Sequence, residues 1–215
     1  MREIDLATWA RQEHYRFFMQ MDYPQYNLCF DLDVTGLLAA CRRSGTSFYY
    51  ALIYHSMVSA NRTEAFRYRA RGGQVVLHDR LHPSFTDLDK DGELFRIVNV
   101  DLAANLEAFV AQAAAKSRAQ VRPFDFAGYE DRDDLVYFTS VPWISFTQLT
   151  HTISLRREDS VPRLSWGRYR EEAGRWVLPY SVQVHHAFVD AIHISRFKTL
   201  LEAATTGGGP WPAGS

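Results

Sequence analysis

The stretch that most restricts this chain is Ser181-Val182-Gln183-Val184-His185-His186-Ala187-Phe188-Val189-Asp190. Apolar and polar residues alternate up to two adjacent histidines, and the apolar spacing then becomes helical at Ile192, Ile194, Phe197, Leu200 and Leu201. The period changes from two to 3.6 at the histidines, so they sit where a strand hands over to a helix. Neighbouring strand residues face opposite sides. His185 therefore goes with Ser181 and Gln183, and His186 with Val182 and Val184. Two imidazoles that diverge do not share a metal ion, and only one of them is available as a reactive group. Asp190, four residues beyond His186, reads in two ways. It caps the last helix, or, paired with an arginine, it locks the backbone around His186 and fixes the ring's tautomer. Arg11 is a candidate partner that spacing alone does not select.

Earlier in the chain, Thr8 is placed to cap an aromatic amphipathic helix that Pro24 must end, and residues 26–33 alternate as a strand. Helices are expected at 34–43 and 47–60, separated by Ser44-Gly45-Thr46, and a third at the alanine-rich stretch 101–117. Residues 66–70 and 74–78 flank Arg71-Gly72-Gly73 as a hairpin, and 84–88 and 94–100 flank Asp91-Gly92. Residues 118–134 form a long loop, either a plain connection or a flap. Strands are expected again at 135–139, 144–149, 164–170 and 175–185, the last two joined by Glu171-Glu172-Ala173-Gly174. The closing helix spans about 190–204, and 206–215 is expected to be a flexible tail after a single domain of residues 1–205. Hairpins with helices inserted between them imply an α+β sandwich.

Composition mainly excludes. Twenty-four basic against twenty-five acidic side chains, without a Lys/Arg cluster, imply neither nucleic acid nor an anionic membrane as partner. Two cysteines, no basic-apolar leader and no run of about 18 apolar residues point to a cytoplasmic protein with free thiols. Glycine-rich phosphate loops, His-Glu-x-x-His and Cys-x-x-Cys are all missing, so no metal is expected.

The histidine stretch resembles the His-His-Ala-x-x-Asp-Gly-Phe-His signature of the type A chloramphenicol acetyltransferases, and more distantly the His-x-x-x-Asp-Gly of lipoamide acyltransferase cores and condensation domains. Trp9-Ala10-Arg11-Gln12-Glu13-His14-Tyr15, His82-Pro83-Ser84-Phe85-Thr86, Thr139-Ser140-Val141-Pro142-Trp143-Ile144-Ser145-Phe146 and Pro162-Arg163-Leu164-Ser165-Trp166-Gly167-Arg168-Tyr169 are similar to further family segments, in order, over about residues 1–205. The resemblance implies a two-layer α+β sandwich of a mixed, mostly antiparallel sheet with helices on one face. It also implies a homotrimer with sites between subunits, and acetylation of chloramphenicol by acetyl-CoA in a ternary complex. Residue by residue it implies His186 as general base, Thr139 in the place of a serine that stabilises the oxyanion, and Asp190 with Arg11 as a structural ion pair. Phe17, Phe18, Asp22, Phe95 and Ser165 fall at acceptor-site positions, and Arg168 and Tyr169 at the CoA tunnel.

The departures from the family pattern concern Thr139 for serine, Ser165 for threonine, Ala191 for glycine, Phe18 for tyrosine, and Asp22-Tyr23-Pro24 for Leu-Pro-Cys. Asp22 either disturbs an apolar pocket or marks a cationic acceptor. Three readings follow: the chloramphenicol enzyme, a related acyltransferase for another alcohol or an amine, and a catalytically silent binder of the same fold.

Overall fold

The computed structural model describes residues 1–88 and 92–207. The second hairpin's Asp91 and the tail from residue 208 onward lie outside these, although the last helix runs through Thr206, into the expected tail. The elements are β1 (Arg2–Glu3), α1 (Gln12–Phe18), β2 (Gln25–Asp33), α2 (Thr35–Ser44), α3 (Phe48–Arg62), β3 (Tyr68–Arg71), β4 (Gln74–Leu77), β5 (His82–Leu88), β6 (Phe95–Asn99), α4 (Leu106–Ala119), β7 (Leu135–Val141), β8 (Arg163–Gly167), β9 (Arg170–Glu172), β10 (Arg175–His185) and α5 (Ala191–Thr206).

The main sheet runs β2-β10-β8-β7-β5-β6, with β9 pairing to β10. The β5–β7 and β7–β8 pairs are parallel and the others antiparallel. β1 adds to the β3–β4 hairpin as a small second sheet. Arg69 of β3, 1 % exposed, donates to the carbonyls of Phe66, Tyr68, Asp133 and Leu135, which docks that sheet against the start of β7. The helices cover the sheet face that carries Tyr180, Val182 and Val184 of β10. Here lies the core, with Leu37, Leu52, Ile53, Phe66, Phe109, Phe197 and Leu201 from the helical layer. The opposite face of β10 carries Ser181, Gln183 and His185, and the irregular stretch 142–160 crosses it.

Several boundaries differ from expectation. Thr8 caps no helix: its hydroxyl and the Ala7 N–H turn to Asp5, and α1 starts only at Gln12. α4 starts at Leu106 because Asn105 accepts the Ala108 N–H, while Asp101 is held by Arg132. Residues 144–149 form no strand. β8 is paired on both edges, and the stretch crosses the sheet face instead, held there largely by side chains. Asn27 Nδ2 and Ser181 Oγ both donate to the Leu149 carbonyl, at 2.6 and 2.9 Å. Gly45, at φ 69°, ends α2 in the left-handed conformation as expected. Of the cysteines, Cys41 is buried and Cys29 half-buried.

The crossing stretch comes so close at Gly167 that a Cβ there would lie 2.6 Å from the Ile144 carbonyl oxygen and 2.8 Å from Pro179 Cγ. Backbone on one side leaves no rotamer by which to escape. Gly167→Ala is expected to cost about 1–3 kcal/mol of stability, seen as a lower denaturation midpoint at unchanged m-value.

Candidate active site

Strand β10 ends at His185, which is 2 % exposed. Its Nδ1 accepts the Ala187 N–H at 3.2 Å, so the proton is on Nε2, which donates to the Arg157 carbonyl at 2.8 Å. Burial lowers its pKa. Both nitrogens are spent on structure.

His186 follows in the turn, its backbone N–H held by the Pro24 carbonyl at 2.8 Å. The ring lies between Phe18 at 4.1 Å and Tyr26 at 4.5 Å between centroids, stacked on both faces. Its side chain is 29 % exposed. Nδ1 lies 3.2 Å from Asp190 Oδ1, but the angle makes no hydrogen bond, and Nδ1 has no hydrogen-bond partner among the described residues. Nδ1 is sealed, and no partner holds Nε2 among the described residues, so Nε2 is the nitrogen open to a ligand.

Arg11 clamps this junction. It grips Asp190 in a fork, Nη1 to Oδ2 and Nη2 to Oδ1 at 2.6 Å each, and donates to the Ala187 carbonyl at 2.7 Å and the His186 carbonyl at 3.0 Å. Its hydrogen bonds hold the Asp190 pKa below the usual carboxylate range. Asp190 is also the N-cap residue of α5, and its N–H donates to His193 Nδ1 at 2.9 Å. Both sequence readings of Asp190 thus meet at one residue. Ala191 has negative φ, so the alanine carries no strain there.

The other predicted residues lie elsewhere. Thr139 pairs with Ser165, and Ser165 with Ser181, across β7, β8 and β10. Thr139, Phe95, Arg168 and Tyr169 line one cavity of about 1520 Å³, together with Arg42, Phe48, Trp143, His151 and Trp176. That volume exceeds the ~300–1,000 Å³ of a single small-ligand pocket and suits two substrates end to end. Arg168 and Arg42 have no acidic partner among the described residues, and Arg42 lies over the Trp176 ring at 5.5 Å. Ser140 borders the cavity too, although its strand partner is Trp166 and not Ser165. Ser165 does not line it: the residue is 0 % exposed and its hydroxyl is bonded to His151 Nε2.

Phe17 is 55 % exposed and packs edge-on against Phe18. Asp22, with a 99 % exposed side chain, has its charge met by Arg157 at 3.4 Å. Residues 118–134 do not line the cavity; they run beside β6, where Pro123 accepts the Ile97 N–H at 2.8 Å. Sequence reasoning missed Tyr26, Arg42 and His151, none of which sits in a pattern that distinguishes it from an ordinary strand, helix or loop residue.

The two halves are far apart in one chain. Ser181 is level with Thr139 in register, and His186 lies five residues further on, just past the end of β10. At ~3.3 Å per residue and ~4.8 Å per strand, roughly 17 Å along and 10 Å across separate them.

A stacked imidazole at a clamped strand end, and a long cavity with a hydroxyl on its wall and arginines along it, together have the layout of an acyltransferase that binds two substrates. The family model described as chloramphenicol acetyltransferase matches residues 1–202. The chain belongs to this family. It is 29 % identical to "Chloramphenicol acetyltransferase 2" of Escherichia coli over 93 % of this chain and 94 % of that protein. It is 31 % identical to the chloramphenicol acetyltransferase of Streptomyces acrimycini over 93 % and 91 %. A solved chloramphenicol acetyltransferase superposes with a TM-score of 0.86 at 25 % identity, covering 94 % of this chain and 99 % of that one.

Asp190→Asn leaves Arg11 half-partnered and is expected to cost roughly 2 kcal/mol, about 4–8 °C in Tm. Because the folded Asp190 pKa is depressed, its contribution is present above the unfolded pKa of about 3.9 and is lost as pH falls below it. Stability of the wild type and the variant should therefore converge under acid, as read by thermal scans between neutral pH and pH 3.

Proposed function

We infer that this protein is a chloramphenicol O-acetyltransferase that transfers acetyl from acetyl-CoA directly to the antibiotic's primary hydroxyl, with His186 as the base. Family membership over nearly the whole chain supports the activity. The observation that carries the mechanism is the clamp. Arg11 and Asp190 fix the backbone on both sides of His186, Phe18 and Tyr26 fix its ring plane, and Nε2 remains for a substrate.

In the reaction, His186 Nε2 takes the acceptor's hydroxyl proton as the oxygen attacks the thioester carbonyl. The Thr139 hydroxyl donates to the resulting oxyanion. The carbon–sulfur bond then breaks, and the imidazolium returns its proton to the departing thiolate. An imidazole suits both steps because it accepts a proton in the first and gives it back in the second. Arg42 and Arg168 would meet the phosphates of acetyl-CoA, with Tyr169 and Trp176 beside its length, a reading supported by their shared lining of one cavity. Use of acetyl-CoA puts the reaction in the cytoplasm.

Base and hydroxyl must approach within about 3 Å of the reacting atoms, which one chain does not allow. The base of one copy acts with the Thr139 cavity of the next, and a ring of three copies closes such a head-to-tail contact. Exposed apolar side chains flank both halves: Phe17, Met21 and Tyr23 near His186, and Leu94, Phe95, Trp143 and Ile144 near the cavity. These are the surfaces such an interface would cover. Asp22, already facing Arg157, gives no support to a cationic acceptor.

His186→Ala should lower turnover by several orders of magnitude with the fold intact, and Thr139→Val by about 10²-fold, whereas Thr139→Ser should keep or raise it; thiol release from acetyl-CoA reads all three. The decisive measurement mixes the two inactive variants. After unfolding and joint refolding at equal ratio, about one quarter of interfacial sites combine an intact His186 with an intact Thr139, so activity should reappear. Persistent inactivity of a properly assembled mixture would place both groups in one chain and overturn the interfacial mechanism.

A further inference from the structure

His151 belongs to the stretch that crosses the polar face of the sheet, and its position is fixed at two points. Its backbone N–H donates to Gln183 Oε1 at 2.7 Å, and its ring Nε2 is bonded to Ser165 Oγ. Gln183 and Ser165 are both 0 % exposed, so the imidazole is anchored to rigid β10 and β8 and not to a mobile loop. Ser165 is the strand partner of Thr139. The ring that covers Ser165 therefore sits beside the proposed oxyanion donor, and His151 lines the same cavity as Thr139.

The direction of the Ser165 bond follows from burial. Among the described residues the Ser165 hydroxyl has one partner, His151 Nε2. A sealed hydroxyl needs an acceptor for its proton, so Ser165 donates and Nε2 is the unprotonated nitrogen. The ring proton is then on Nδ1. Nδ1 has no protein partner among the described residues and is not sealed from solvent. Burial, and secondarily the Arg163 cation, lower the pKa of His151, which keeps the ring neutral and the tautomer defined near pH 7.

We propose that His151 determines acceptor specificity: its Nδ1–H donates a hydrogen bond to an oxygen of the acceptor molecule other than the hydroxyl being acetylated. The proposal rests on the reading of this cavity as the place where acceptor and acetyl-CoA meet. The ligand class is a neutral alcohol carrying a second oxygen acceptor, such as an amide, nitro or secondary hydroxyl oxygen. The contact exists before and during the reaction, so it acts on KM and leaves kcat nearly alone. A site built to donate to a ligand oxygen discriminates against analogues that lack it.

The test compares wild type, His151→Leu, His151→Asn and the double variant Ser165→Ala with His151→Leu, which removes the hydroxyl that leucine alone would strand. Chloramphenicol is the acceptor, and 3-phenylpropanol, with a ring and a primary hydroxyl but no other oxygen, is a competing ligand. In the leucine and double variants the KM for chloramphenicol should rise about 10- to 100-fold, with kcat within about threefold and the KM for acetyl-CoA unchanged. The inhibition constant of 3-phenylpropanol should stay the same or fall. Asparagine, which keeps an N–H donor, should restore most of the affinity. A fall in kcat at unchanged acceptor KM, or equal weakening of both ligands, would overturn the proposal. If the wild type releases no thiol, the catalytic reading fails by itself, and calorimetric binding of chloramphenicol to wild type and His151→Leu still decides the contact.

Discussion

The fork between Arg11 and Asp190 is the constraint on which the site depends. One guanidinium gathers the carboxylate at the start of α5 and the carbonyls of His186 and Ala187. The N-terminal segment, the end of the longest strand and the last helix are thereby joined at one point. Few other side chains can do this: the planar fork satisfies a carboxylate and still has donors for main-chain oxygens. The cost of ordering the turn after His185 is met by bonds that leave the His186 ring itself uncommitted. The division of labour within the histidine pair follows. His185 spends both nitrogens on the backbone, while His186 is held by its neighbours and by stacking.

The sheet distributes the chemistry between its two faces. The helical face is a dry aromatic and aliphatic core, whereas the other is polar, with Ser181, Gln183 and Ser165 all buried and tied to the crossing stretch 142–160. That stretch crosses the face instead of joining an edge, and side chains of β2, β8 and β10 hold it there. An irregular backbone anchored to rigid strands is how a fold lines a cavity with side chains of unrelated geometry while keeping each one in place. Gly167 permits the close crossing, and the cavity wall forms as a consequence.

Much of this was legible in the chain. The period change at residues 181–201 located the strand-to-helix junction, parity separated the two histidines, and Gly45 and the Arg71-Gly72-Gly73 turn marked real boundaries. The resemblance supplied the candidate site residues. The local reading failed where tertiary context overrides local pattern. Residues 144–149 have strand composition but lie across the sheet face instead of pairing. Thr8 has capping chemistry but satisfies Asp5 instead.

The sequence by itself determined the α+β class, the family and the strand-to-helix junction that carries the candidate base, because these rest on periodicity and on short motifs that survive without a partner in space. Only the tertiary structure decided which arginine serves Asp190, that Ser165 is sealed beneath His151, and that His186 lies five residues beyond the β10 position level with Thr139. Those are facts of register, burial and long-range pairing. Residues 11 and 190, or 151 and 165, carry no mark of each other until the sheet has set the distance between them.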